Sequence, residues 1–92
     1  MNTVFLLMAQ YNGAAVVPLD RVCADYFSHM DPQQFARKAT AGEIDIPVIR
    51  IESSQKAARG IYITDLATWI DARREEAKRE NDQLQGRAGR GR

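Results

Sequence analysis

PLDRVCADYFSHMDPQQFARKATAG, residues 18–42, is the stretch on which the fold turns. Within it Leu19, Val22, Cys23, Tyr26 and Phe27 fall at i, i+3, i+4, i+7 and i+8, one apolar stripe along a helix opened by Pro18. Ser28 to Met30 breaks that pattern. Asp31 then reads as an N-cap, Pro32 as the first helical residue and Gln34 as the N3 partner reaching back, so a second helix begins here; Gly42 ends it. On this second helix Phe35 and Ala39, at i and i+4, turn inward and leave Gln34, Arg37, Lys38 and Ala41 on the outer surface. Two helices joined by a short break, the second short and polar on one side, are the outline of a helix-turn-helix.

Downstream, Pro47 to Glu52 and Ile61 to Ile63 are rich in β-branched residues and the polar Ser53 to Gly60 lies between them, which predicts a two-stranded antiparallel hairpin with a basic tip. Gly60 is read as permitting its turn. Thr64 caps a last helix with Asp65 near its positive end, and Leu66, Trp69 and Ile70 close onto the core. Beyond Arg73 the apolar stripe is lost, Glu75 and Arg79 offer an i, i+4 pair, and the helix is expected to fray towards Gln85. Upstream, Thr3 to Tyr11 reads as a helix capped by Asn2 or Thr3 and stopped by Gly13, a strand being the alternative; Gly-Ala-Ala-Val-Val, 13–17, is read as a connection. Val4 to Met8 is apolar on every side, so it either crosses the core or supplies a dimer surface through Val4, Phe5, Leu7 and Met8. The expected fold class is α+β, helices plus the small hairpin, in one domain over 1–84. The Gly/Arg segment 85–92 is expected to be a disordered tail.

The chain has 92 residues, 45% hydrophobic and 27% charged, which suits one ordinary globular core. No stretch approaches the roughly 20 apolar residues a membrane span needs, and the Val4 to Ala9 run has neither a basic leader nor a cleavage site, so a cytoplasmic, nucleoid-associated protein is expected. Cys23 has no cysteine partner, and with His29 as the one histidine there is no zinc-site spacing. Neither residue has an orienting third group, so no enzyme chemistry, cofactor or metal is expected. The net charge is only +1, but it is unevenly spread: residues 1–32 sum to −2 and residues 33–60 to +2.

That basic middle carries the candidate site. Glutamine can pair bidentately with adenine and arginine with guanine in the major groove, which makes Gln33, Gln34, Arg37 and Lys38 candidate base readers. Arg50, Ser53, Ser54, Gln55, Lys56 and Arg59 offer charges and donors to phosphate oxygens or the minor groove, and no acidic residue interrupts 53–60. Trp69, at helical spacing from Leu66, is read as a core residue. Arg87, Arg90 and Arg92 are read first as a remnant without a function, the alternatives being an arm that follows a nucleic-acid backbone or contacts RNA.

Five blocks, FLLMAQY (5–11), RVCADYF (21–27), AGEIDIPVIR (41–50), SQKAARG (54–60) and DLATWIDARREEAKRE (65–80), resemble the pyocin activator family through roughly the first 84 residues. That family, PrtN-like regulators of phage-tail-like bacteriocin genes and related prophage proteins, is similar in layout to excisionase-type and MerR-type winged helices. The resemblance implies a winged helix-turn-helix that activates transcription by binding double-stranded promoter or operator DNA, with RNA polymerase as a further partner. It assigns no contact residues. Two other functions fit the same residues: an excisionase-like architectural factor that bends DNA, and an adaptor whose apolar N-terminal segment docks a protein.

Overall fold

The computed structural model describes residues 2–51 and 58–89, with side chains through residue 86. Four helices surround a three-stranded antiparallel sheet: α1 (Thr3–Gln10), β1 (Val16–Pro18), α2 (Leu19–Tyr26), α3 (Pro32–Thr40), β2 (Ile49–Arg50), β3 (Arg59–Tyr62) and α4 (Ile63–Gly89). The sheet order is β1-β3-β2. The expected two-stranded hairpin therefore gains a third strand, because Val16 and Val17, read as a connection, pair with Tyr62 and Ile61. Val17 is fully buried by this pairing, and its partner Ile61 likewise.

Local chemistry sets the helix ends. Asn2 caps α1, its side chain accepting from the Phe5 N–H at 2.9 Å. Asn12 (φ 55°) reverses the chain after α1, and the Gly13 N–H returns to the Met8 carbonyl at 2.7 Å. At α3 the capping box is complete: Asp31 Oδ1 accepts from the Gln34 N–H at 2.8 Å and Gln34 Oε1 accepts from the Asp31 N–H at 3.1 Å. The same helix ends at Gly42 (φ 80°), where the Gly42 and Glu43 N–H groups bond to the Ala39 and Lys38 carbonyls, the two bonds of a Schellman motif.

The core forms where these elements meet. Leu19, Val22, Cys23 and Phe27 come from the α2 stripe, Phe35 from α3, and Leu66 and Ala67 from α4. Phe27 stands at its centre, 4.8 Å by ring centroid from both Phe35 and Trp69, with the Phe35 ring edge-on. Edge-to-face contacts of this kind add about 0.5–1.5 kcal/mol beyond the area they bury. Trp69 is thus a packing residue, as its spacing predicts.

Four expectations are corrected. Leu7 is 2% exposed and belongs to the core rather than to an outer surface, and Val4 packs partly buried against that core; Phe5, Leu6 and Met8, 61%, 54% and 40% exposed, are the part of α1 that faces outward. The uniform apolarity of the run hid which side faces in. α4 starts one residue before Thr64, at Ile63, whose N–H is held by the Ala15 carbonyl at 2.8 Å. Helical backbone also continues past Gln85 to Gly89, into the segment expected to be disordered. An established helix extends by one hydrogen bond per residue fixed, and 71–85 is rich in strong helix formers. The i, i+4 pair Glu75–Arg79 does not form; Arg73–Glu76 at 2.6 Å and Arg74–Glu75 at 3.4 Å do.

Two tyrosines tie α1 to α2. The Tyr11 hydroxyl donates to Asp25 Oδ2 and the Tyr26 hydroxyl to Gln10 Oε1, both at 2.6 Å. Burial, with the Asp25 hydrogen bond and charge, pushes the Tyr11 hydroxyl well above the usual phenol pKa. On the other side of α1, Thr3 Oγ1 donates to Asp71 of α4.

Candidate nucleic-acid interface

The second helix of the pair, α3, buries one residue fully, Phe35, and leaves Gln33, Gln34, Arg37 and Lys38 exposed. Anchoring by Phe35 on one side fixes which residues stand on the other. Next to that outer surface lies the β2–β3 ladder, in which Arg50 pairs with Arg59 and Ile49 with Gly60. Arg50 is exposed and Arg59 half-buried.

Helix and ladder enclose an open groove of about 570 Å³ lined by Gln33, Ala36, Arg37, Thr40, Ala41, Arg50 and Arg59. Three arginines line it, and among the described residues no carboxylate does. The small side chains of Ala36 and Ala41 leave the space open. Thr40 contributes its carbon surface, since its hydroxyl donates back to the Ala36 carbonyl at 2.9 Å. A second, smaller depression on the far side of Arg37 is lined by Gln34, Arg37, Lys38, Ala41 and Glu43. Arg37 therefore stands on the ridge between the two and borders both.

This geometry divides the residues singled out from sequence. Gln33, Arg37, Arg50 and Arg59 are brought together around one groove. Gln34 and Lys38 lie across the ridge. Gln34 is half committed to the α3 cap through its carbonyl oxygen, leaving its amide N–H groups to donate elsewhere. Lys38 Nζ lies 3.9 Å from Glu43 Oε1, an exposed pair worth about 0–1 kcal/mol and easily exchanged for another anion. Ser53, Ser54, Gln55 and Lys56 lie outside the described residues.

Sequence reasoning missed Ala36 and Thr40 as groove residues. The signal was present: Gln33, Ala36, Arg37 and Thr40 fall at i, i+3, i+4 and i+7, the outward stripe opposite Phe35 and Ala39. It also misread Gly60, which sits inside β3 rather than in a turn. A Cβ there would meet Val16 Cγ1 at 2.6 Å and the Val17 carbonyl oxygen at 2.8 Å, so glycine is what lets β1 approach β3.

Cys23 is 3% exposed, and burial together with the negative charges of Asp20 and Asp31 raises its thiol pKa, which withholds the reactive thiolate. His29 is exposed on the loop after α2, 6.3 Å by ring centroid from Phe27. Among the described residues no helix is long and apolar enough to cross a membrane.

No curated protein and no solved structure gives a match to this chain. The model of one protein family, described as pyocin activator protein PrtN, matches residues 3–77, a span that includes α1 to α3, the whole sheet and the packed half of α4. The chain belongs to the pyocin activator family.

Proposed function

We propose that this protein is a sequence-specific, double-stranded-DNA-binding activator of transcription of pyocin-type and prophage-type genes, built as a winged helix-turn-helix and free of enzymatic chemistry. In this reading α2 and α3 are the helix pair, α3 enters the major groove, and the β2–β3 ladder is the wing beside it. The observation that carries it is the meeting of Gln33 and Arg37 with Arg50 and Arg59 around one groove to which the described residues contribute no carboxylate. α3 has nine residues, about two and a half turns, and a helix about 10–12 Å across fits the roughly 12 Å wide major groove. Membership in a family of pyocin gene regulators supports the same reading. RNA polymerase is the expected downstream partner and the nucleoid the expected location.

Activators of this build act on paired half-sites, and the outward residues of α1, Phe5, Leu6 and Met8, are the surface we assign to self-association.

A mobility-shift assay tests the reading, with duplex from upstream of pyocin-type genes against random duplex of equal length. Preferential binding is expected, and Arg37→Ala should reduce the preference by the about 1–3 kcal/mol of one bidentate base contact. Equal binding to both duplexes by the wild-type protein would remove the proposal. Strong bending in a circular-permutation assay, without activation in a reporter strain, would reassign the protein to DNA architecture.

A further inference from the structure

We infer that Arg50 and Arg59 together form a seat for a single phosphate group of the DNA backbone, and that base reading is left to Gln33 and Arg37. The inference rests on the DNA-binding reading above and divides its groove into two functions.

The two arginines stand in an arrangement that a sheet does not favour. Arg50 and Arg59 are direct partners across β2 and β3, and like charges directly opposite each other in adjacent strands repel. Both line the same groove, so the charges are not dispersed to opposite faces. Among the described ion pairs, which join Lys38 to Glu43, Arg73 to Glu76 and Arg74 to Glu75, neither of the two takes part. An oxyanion between the two guanidinium groups turns that repulsion into two charge-assisted contacts, and the planar donor fork of arginine matches the oxygens of a phosphate.

The scaffold holds the pair in place. Gly60 follows Arg59 directly, and the close approach of Val16 and Val17 to it fixes β3 against β1. The Ile51 N–H donates to the Ala58 carbonyl at 3.1 Å, carrying the ladder one step beyond the arginines. Arg50 and Arg59 therefore project from paired backbone. The groove's other polar side chains serve differently: the Thr40 hydroxyl is spent on Ala36, and Gln33 and Arg37, one helical turn apart on α3, present the donor sets suited to base edges.

Salt dependence reads the number of phosphates neutralised, with a slope of log K against log salt of about −0.9 for each. Fluorescence anisotropy of promoter and random duplexes over a potassium chloride series would be run for wild type, R50Q, R59Q, R50Q/R59Q and R37Q. If one phosphate is shared, R50Q/R59Q loses about 0.9 from the slope and weakens both duplexes by the same factor, while R37Q lowers the preference for promoter DNA. A loss of about 1.8 in the double variant means separate phosphates and overturns the shared seat. An unchanged slope, or a change in sequence preference in R50Q/R59Q, overturns it as well.

A second arm keeps the two ideas apart. Inorganic phosphate should raise the melting temperature of wild type above that in potassium chloride of equal ionic strength, and R50Q/R59Q should lose that increment. If wild type binds neither duplex yet shows the phosphate effect, the seat stands and the DNA reading falls. If both are absent, both fall.

Discussion

Gly60→Ala puts one methyl group into the narrowest contact of the sheet. The added Cβ would lie 2.6 Å from Val16 Cγ1 and 2.8 Å from the Val17 carbonyl oxygen. The valine methyl can be relieved by a side-chain rotation, but the carbonyl belongs to the backbone that pairs Val17 with Ile61, so β1 must move away from β3. Overpacking of this kind costs about 1–3 kcal/mol. Replacing glycine also restricts the unfolded chain, a gain of about 0.4–1 kcal/mol, so the net loss should centre on about 1.3 kcal/mol. In a domain of this size each kcal/mol shifts the melting temperature by about 4–8 °C, so differential scanning calorimetry should show a fall of about 5–10 °C. Arg59 is the next residue along, and β3 cannot shift without carrying it; DNA binding should weaken in the folded variant as well. A melting temperature equal to or above wild type would show that β1 and β3 have slack at this point, and would refute the reasoning that glycine is required for their approach.

Asp31→Ala removes the α3 capping box and should cost about 0.5–2 kcal/mol, seen as a lower urea midpoint with an unchanged m value; a midpoint equal to wild type would mean that Pro32 alone starts the helix. The raised pKa of Tyr11 means that its neutral form is favoured in the folded state, so its contribution is complete below the unfolded phenol value of about 10 and is lost as pH rises beyond it. Chemical denaturation at pH 8 to 11 should show stability falling above about pH 10, and a smaller fall in Tyr11→Phe; identical profiles would sink the Asp25 linkage. Phe5→Asp with Leu6→Asp should convert a self-associating species to monomer in sedimentation velocity without lowering the melting temperature, because both side chains face outward. Retained association would move the contact elsewhere.

What could be read from the chain before any coordinates was whatever depends on neighbours in sequence. The α2 stripe and the Asp31, Pro32 and Gln34 signal are each complete within one or two helical turns, and both are found where their spacing puts them. β1 was not legible, since three residues become a strand only by pairing with residues more than forty positions later. The role of Gly60 was hidden for the same reason: its requirement comes from Val16 and Val17. Leu7 and Phe5 look alike in an unbroken apolar run, and only the packing of α1 on α4 separates the buried one from the exposed one. For the candidate site, Gln33 and Arg37 follow from helical spacing, whereas their meeting with Arg50 and Arg59 is a tertiary fact.

The layout of the sheet has a bearing on how the molecule behaves when crowded. Its interior strand is β3, and the strands that flank it are brief: β1 has three residues and closes on Pro18, which has no N–H to offer, and β2 has two. A long flat border invites other chains to add on and build fibrils, and abbreviated or proline-ended borders give them little to grip. Copies brought close together can thus stand side by side with little tendency to zip together through their backbones.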